Sequence, residues 1–294
     1  MNVEVKFRRE NPVFRASYKS NNQGKKRLTI QEILSRIQKQ EFFEDEEYLK
    51  VRFKGKGGWT VAHEQARRHW KPENSLPKHI LEMRTQSGWT VAHQMARAGL
   101  FTNDKEVLLL RDKSNNTVAH VQAGRGWITE DPEILRLADK SGWTVAHEQV
   151  EQGWITENKE VLKLRDKYGW TVAHRQARYG WTTNDKEILR LYNEDGWTVA
   201  HEQVRRGWIT EDKEVLMLRD IYGWTVAHEQ AKFGWVTGDK EILRLSDNTG
   251  WTVAHVQAES GWMTDDSEIL NLSDKDGTTV SEVIDRFVAK TLSF

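Results

Sequence analysis

The sequence predicts an all-α fold, a solenoid of helix-turn-helix repeats with a capping unit at each end. The string Gly-Trp-Thr-Val-Ala-His recurs along the chain with small changes, and 14 Trp residues occur among 294. The first interval between the histidines of this string is 30 residues and each later interval is 27. Self-similarity at a fixed period is the signature of repeat arrays. The eight repeat histidines are His63, His93, His120, His147, His174, His201, His228 and His255.

Composition narrows the class of protein. The chain has 44 basic and 44 acidic residues, so no net field draws it towards nucleic acid or a membrane. No apolar run approaches the roughly 18 residues that a membrane-spanning helix needs. With no leader-like pattern at the start, a cytoplasmic location is expected. The absence of Cys excludes disulfides, thiolate metal sites and Cys nucleophiles.

The repeats divide the chain into four segments. Residues 1–28 carry eight basic and two acidic side chains, and are predicted to be a basic arm or a small strand-containing segment. Residues 29–57 are expected to form a degenerate N-terminal capping repeat, because they keep an apolar helical pattern without Trp. Eight full repeats are predicted over 58–276, and a C-terminal capping helix over 277–294.

Within one unit, residues 142–168, the pattern predicts two short helices. Thr144 is a suitable N-cap for a helix that reaches Gln152. Gly153 follows, where a left-handed residue closes a helix. Asn158 is expected to cap the second helix, and an Asp-x-x-Gly turn links one unit to the next. The other repeats place the same kind of N-cap at Asp104, Asp131, Asp185, Asp212, Asp239 and Asp266.

Packing between neighbouring units is expected to stabilise these helices, since isolated helices this short are marginal in water. The Val, Ala and Leu positions and the two Trp of each unit are predicted to fill the interfaces between repeats. Early in the second helix, Glu160 precedes Lys163 by three residues. Three other repeats share this spacing, so ion pairs within the second helix are expected.

The repeat resembles the ankyrin signature Gly-x-Thr-Pro-Leu-His-x-Ala when Gly142, Thr144 and His147 are aligned with it. The resemblance extends over about residues 29–288. It differs in length, because 27 residues leave no room for a long β-hairpin finger, and in Val-Ala replacing Pro-Leu. The resemblance implies a scaffold that binds partners, with each His hydrogen-bonded to Thr and to turn backbone.

Neither catalysis nor metal binding is expected. Zinc ligands must converge to within a few ångströms, whereas equivalent His in stacked repeats are separated by the helix spacing, about 8–10 Å. No second ligand recurs within a unit, and the acidic residues are periodic, whereas a reaction needs one singular site. The sequence therefore predicts no catalytic residue, no metal and no cofactor.

The positions that vary between repeats carry the functional prediction. Eight of the sixteen residues at the ends of the first helices are basic and two are acidic, and aromatic residues stand among or near them. We call this set the basic ribbon. It consists of Arg67, Arg68, Arg97, Arg125, Tyr168, Arg178, Tyr179, Arg205, Arg206, Tyr222, Lys232 and Phe233. A solvated face explains such a set as well as a partner surface does, although Arg and Tyr are frequent interface anchors.

The main functional hypothesis is a monomeric scaffold that binds another protein with an acidic surface and either inhibits or recruits it. The alternative is nucleic-acid binding through the N-terminal arm and the basic ribbon. Expected burial of the Trp rings and the neutral net charge count against that alternative, because stacking platforms must be exposed. An array without a dedicated partner is the third hypothesis.

Overall fold

The structure is a computed structural model that describes residues 28–72 and 75–292. Within these ranges it contains helices and isolated β-bridges but no strand, which confirms the all-α repeat fold. The helices are α1 Ile30–Gln38, α2 Glu46–Leu49, α3 Val61–Arg67, α4 Lys78–Leu81, α5 Val91–Arg97, α6 Lys105–Leu108, α7 Val118–Ala123, α8 Pro132–Leu135, α9 Val145–Glu151, α10 Lys159–Leu162, α11 Val172–Arg178, α12 Lys186–Leu189, α13 Val199–Val204, α14 Lys213–Leu216, α15 Val226–Lys232, α16 Lys240–Leu243, α17 Val253–Glu259, α18 Ser267–Leu270 and α19 Val280–Leu292.

The chain divides into two compact units, Met1–Glu41 and Phe42–Phe294. In the described part of the first unit, α1 starts with a capping box between Thr29 and Glu32. The predicted basic arm lies outside the described residues except for residue 28. The boundary between the units falls inside the predicted capping repeat 29–57, so the predicted segment limits stay predictions.

Local sequence fixes both ends of each first helix. In α9 the Thr144 hydroxyl accepts the backbone N–H of His147, while His147 Nδ1 accepts the N–H of Thr144. The imidazole therefore takes the place that Glu or Gln has in a capping box. At the other end Gly153 has φ of 89°, and the Trp154 N–H donates to the Gln149 carbonyl at 3.0 Å. This is the Schellman geometry that the Gly predicts.

The second helices are single turns of four residues. Asn158 Oδ1 accepts the N–H of Glu160 at 3.0 Å, as the predicted N-cap does. The Asp residues at the equivalent positions cap their helices in the same way, and Pro132 stands at the first position of α8. Because these turns bury an aliphatic pair, such as Val161 and Leu162 in α10, they anchor each unit to the core.

Consecutive turns are joined through their backbones. In one turn Asp139 Oδ1 accepts the Trp143 N–H at 3.0 Å, and Ala138 pairs with Thr144 in an isolated antiparallel bridge. The Lys140 N–H donates to the Ser114 carbonyl of the preceding turn at 3.0 Å. A Cβ on Gly142 would approach the Lys167 nitrogen of the next turn to 2.8 Å, so this close contact requires glycine.

Each repeat also contacts the next through side chains. Gln149 forms two bonds with Thr129 of the preceding repeat, accepting its N–H at 2.9 Å and donating to its carbonyl at 3.2 Å. The same Gln–Thr pair, 20 residues apart, recurs at Gln122, Gln176 and Gln230. Successive first helices pack against one another from α3 to α19, which places equivalent residues side by side along the second unit.

Two packing expectations need correction. Trp70 is buried at 2% exposure, but the other 13 Trp are only half-buried and flank clusters of Val, Ala, Leu and Ile. The predicted ion pairs within the second helix are mostly replaced by pairs between repeats. Lys163 lies 3.8 Å from Glu160 of its own helix but 2.5 Å from Glu187 of the next repeat. A lysine that starts one second helix reaches the acidic first turn of the following one, because these one-turn helices stack closely.

Candidate partner-binding surface

The basic ribbon lies at the C-terminal ends of the first helices and in the adjoining turns. Its helical members occupy the last turn or the C-cap, as Arg178 and Tyr179 do at the end of α11. Eleven of its twelve side chains are exposed and Arg68 is half-buried. Tyr222 is the most open of its aromatic residues, at 64% exposure. The ribbon is therefore accessible to a partner.

Buried carboxylates lie beneath parts of this ribbon. Glu64 in α3 is buried, and its Oε1 lies 2.5 Å from Arg67 Nη2 and 3.2 Å from Arg68 Nε. Although burial alone would raise its pKa, these two guanidinium groups and the Trp59 indole hold the pKa of Glu64 below its ordinary value. The charge of this arginine pair is thus partly neutralised by the protein itself.

Two further ribbon residues contact acids across a repeat boundary. Arg205 Nε lies 3.3 Å from Oε1 of the buried Glu229, and its guanidinium lies over the Trp197 ring at 5.0 Å. The Tyr179 hydroxyl donates to Glu151, which raises the pKa of that phenol. Among the ribbon residues from Tyr168 to Phe233, the described part of the chain shows no ion pair for Arg178, Arg206 and Lys232. The charges of these three side chains are therefore not neutralised by a neighbouring carboxylate.

A row of tryptophans lies beside the ribbon. We call the Trp that precedes each capping Thr a first-slot tryptophan. These residues are Trp59, Trp89, Trp143, Trp170, Trp197, Trp224 and Trp251. Each is half-buried and contacts the imidazole of its own repeat, with ring centroids 4.6 to 5.4 Å apart. The position of each indole is therefore held in part by the imidazole of its own repeat.

Four first-slot tryptophans are also held by a carboxylate. The Trp143 Nε1 donates to Glu148 at 2.8 Å, and the Trp224 Nε1 donates to Glu229 at 2.9 Å. The corresponding pairs in the first and sixth repeats are Trp59 with Glu64 and Trp197 with Glu202. Because the N–H group is satisfied inside the protein, what remains for a partner is an oriented aromatic surface.

Arg175 adds a cation to this row. It follows His174, and its guanidinium lies 4.6 Å from the centroid of Trp143 and 5.8 Å from that of Trp170. Neither Arg175 nor the first-slot tryptophans were predicted from the sequence to belong to the candidate site, and every Trp was expected to be buried between repeats. The sequence did contain a signal that Arg175 is unusual, because the equivalent position is Glu in four repeats.

A separate set of exposed apolar residues was also not predicted from the sequence. The residue after Gly-Trp or Gly-Leu in the second half of the unit is apolar and exposed in six repeats. These residues are Phe101, Ile128, Ile155, Ile209, Val236 and Met263. They follow the first helices and precede the second, so this stripe is distinct in position from the turns that carry Tyr168 and Tyr222.

The repeat histidines have a structural role. His174 Nδ1 accepts the Thr171 N–H at 3.2 Å, and its Nε2 lies 3.0 Å from the Trp197 carbonyl oxygen of the next repeat. Burial lowers the pKa of His174 to about 4, so the ring is neutral at pH 7. All eight histidines share these contacts, which confirms the predicted bonds to Thr and to turn backbone. No three His, Asp or Glu side chains within 28–72 and 75–292 are grouped as a metal site.

None of the helices in the described ranges has the length and apolar character to cross a membrane.

No protein-family model and no curated protein matches this chain. Among solved structures, it is similar to the ankyrin repeat domain of Bcl-3, a member of the IkappaB family, with 13% identity and a TM-score of 0.31 over 70% of this chain and 84% of that one. It is also similar to a chain in the complex of the predatory endopeptidase Bd0816 from Bdellovibrio bacteriovorus with the immunity protein Bd3460. There the identity is 16% and the TM-score 0.34, over 61% of this chain and 94% of that one. The structure itself shows an array of recurring helix pairs in which each pair packs on its neighbours.

Proposed function

We propose that this chain is a non-enzymatic scaffold that binds a partner protein through the basic ribbon and the adjoining first-slot tryptophans. One observation carries the proposal. The side chains at the ends of the stacked first helices differ from repeat to repeat and are mostly exposed, whereas the invariant Thr, Ala and His residues are buried. Packing dictates the invariant set and leaves the variable set free to fit a partner.

The chemistry of this surface favours a protein partner. Arg and aromatic residues are the side chains most often found as interface anchors. Here Tyr179, Tyr222 and Phe233 stand exposed among cations, and half-buried indoles add aromatic surface. The cations Arg178, Arg206 and Lys232 would steer an acidic partner to the site, while the aromatic anchors would supply most of the affinity.

The proposal also covers the effect that binding has on the partner. Binding itself would be the activity, and it would either block or recruit the partner. We expect a monomer in the cytoplasm. Neither expectation is needed for the experiment that follows.

Affinity capture from native cell extract tests the surface directly. The variant reverses Arg178, Arg206 and Lys232 to Glu, and leaves Arg205 in place because Arg205 compensates the buried Glu229. We expect the variant to lose the captured partner and to keep its helical circular-dichroism spectrum. Capture that survives the triple reversal would remove the ribbon from the site.

A matched control separates the local surface from net charge. Reversing Lys54, Lys275 and Arg286 to Glu changes the net charge by the same amount at exposed positions outside the ribbon. We expect this control to capture the partner as the wild type does. If both variants lose capture equally, a long-range charge effect and not the ribbon determines binding.

Nucleic-acid binding is the second candidate, and the half-buried indoles favour it more than the sequence suggested. Half-buried indoles in contact with Arg175 and Arg205 provide the aromatic and cationic groups that single-strand-binding surfaces use. The carboxylates Glu64, Glu151 and Glu229 oppose it, because their negative charges lie close to where phosphates would bind. A labelled single strand that binds at low salt, with affinity falling steeply as salt rises, would favour this candidate over a protein partner.

A further inference from the structure

The third repeat departs from the other seven at two neighbouring positions, and it shares a third change, Val after the repeat His, with the eighth repeat. Asn116 stands where seven repeats have a first-slot tryptophan. Val121 replaces the Glu found in four repeats, and Gly124 replaces a charged residue. These changes accompany an open cleft of about 470 Å³. Its lining includes Trp89, Asn116, His120, Val121, Gly124 and Trp143.

The other repeats show which side chain normally occupies the position of Asn116. In them an indole covers the imidazole, as Trp197 covers His201 with ring centroids 4.7 Å apart. No ring within the described ranges covers His120. It is accordingly the most exposed repeat histidine, at 4% against 0% for the other seven. The backbone is nevertheless kept in register, because Asn115 adopts the left-handed conformation of the turn glycine, with φ of 61°.

The walls of the cleft favour an uncharged ring. Trp89 and Trp143 flank it from the preceding and the following repeat, and Val121 contributes an apolar surface. In four other repeats the indole N–H donates to a Glu of the same repeat, but Val121 accepts no hydrogen bond. A phenyl ring has no N–H to satisfy and is therefore compatible with this wall.

The rim of the cleft is charged. Glu148 already accepts the Trp143 Nε1, and burial raises the pKa of its carboxyl. Its other oxygen would lie 2.5 Å from a Cβ on Gly124, so the glycine makes room for this carboxylate. Arg97 and Arg125 of the basic ribbon also border the cleft. The cleft is thus continuous with the proposed partner surface.

We propose that this cleft receives an aromatic side chain of the protein partner, with phenylalanine preferred, placed over His120 and against Val121. The inference rests on the proposed function, because it names one anchor of the same interface. The ring would supply the aromatic contact with the imidazole that every other repeat makes with its own tryptophan. The third repeat would thereby fix the register of the partner along an otherwise periodic array.

Small probes test the cleft without the partner. N-acetyl-phenylalanine amide is titrated into full-length protein with isotopically labelled histidine, and the His120 imidazole resonances are followed by NMR. We expect saturable shifts with a Kd on the order of 1 mM. N-acetyl-leucine amide and N-acetyl-arginine amide should bind at least about ten-fold more weakly, a difference of about 1.4 kcal/mol. Tighter binding of the arginine probe would overturn the aromatic assignment.

Two substitutions at one position supply the control. Asn116→Trp fills the cleft with the chain's own indole and should abolish saturable binding. Asn116→Ala keeps the cleft open and should bind the phenylalanine probe within about three-fold of wild type. If Asn116→Trp binds the probe as well as wild type, or if neither wild type nor Asn116→Ala binds it, the inference is wrong.

The cleft experiment and the ribbon experiment can fail independently of each other. Probe binding requires neither partner nor ribbon charge, so the cleft inference can fail while the triple reversal still abolishes capture. Conversely, the probe can bind His120 while capture survives the reversal, which would reject the ribbon and leave the cleft. The partner captured by wild type should bind Asn116→Trp at least about ten-fold more weakly than it binds Asn116→Ala.

Discussion

The Nε2 of His174 lies 3.0 Å from the backbone carbonyl oxygen of Trp197, one repeat further along the chain. Because the His174 Nδ1 accepts the Thr171 N–H, Nε2 carries the proton and donates it to that carbonyl. One imidazole thus caps its own helix and also forms a hydrogen bond to the turn of the next repeat. The contact recurs in each of the eight repeats, so the stability of the array depends on neutral histidine.

The first prediction concerns pH. Burial lowers the pKa of His63, His93, His147, His174 and His228 to about 4, and that of His201 to about 3. Unfolded histidine has a pKa near 6.5, so the unfolded chain binds more protons between these values. The stabilisation is complete above pH ~6.5 and is lost as pH falls towards ~4, by up to ~3 kcal/mol for each histidine. Urea unfolding from pH 8 to 4 measures it, and a free energy of unfolding that is constant down to pH 5 would contradict it.

The second prediction removes one such link. His174→Ala leaves the Thr171 N–H and the Trp197 carbonyl without their partner in a buried region, and it opens a cavity. We expect a loss of about 3 kcal/mol or more. His79→Ala is the control, because His79 is exposed and forms only a surface pair with Glu46. Thermal melts should show a lower midpoint for the first variant and no change for the second; equal midpoints would mean that the inter-repeat bond contributes nothing.

The third prediction separates backbone conformation from close approach at two glycines. Gly142 and Gly153 have φ of 77° and 89°, so alanine is strained at both by about 1–2 kcal/mol. Only at Gly142 would the new Cβ meet the backbone of the next turn, whereas no atom lies within 4 Å at Gly153. Chemical denaturation should therefore show Gly142→Ala to be the more destabilising by a further ~1–3 kcal/mol. The reverse order would contradict the stacked turns.

The fourth prediction is a stabilising change. Asn116→Trp supplies the indole that the third repeat lacks, and the ring can stack on His120 as Trp197 stacks on His201. An aromatic contact of this kind contributes about 0.5–1.5 kcal/mol beyond the apolar area that it buries. Calorimetry should show a higher Tm than wild type, while Asn116→Ala should not raise it. A lower Tm for Asn116→Trp would mean that the cleft does not have the shape of the other slots.

Local sequence predicted the parts of this fold that depend on neighbours in the chain. The cap at Thr144, the left-handed Gly153 and the helix start at Pro132 follow from interactions over a few residues. The Gln149–Thr129 pair and the Lys163–Glu187 pair could not be derived in this way. They depend on how far one repeat is shifted along the next, which the repeat period alone does not specify.

The candidate surface was only partly predictable. Side-chain variation between repeats identified positions such as Arg178 and Tyr222, which the structure exposes. All tryptophans were predicted to lie between repeats, because each indole is a large apolar group that gains stability from burial. A first-slot tryptophan contacts an imidazole and is only half-buried, because it lies in the turn before the first helix and not within a helix.

The dissociation constant of the captured partner, measured by titration calorimetry, tests the central claim most directly. Wild type, the triple reversal of Arg178, Arg206 and Lys232, and the control reversal of Lys54, Lys275 and Arg286 are compared at one ionic strength. We predict that the ribbon reversal weakens binding by at least about 100-fold, or ~2.7 kcal/mol, and that the control changes it by less than about three-fold. Equal dissociation constants for wild type and the ribbon reversal would contradict the account.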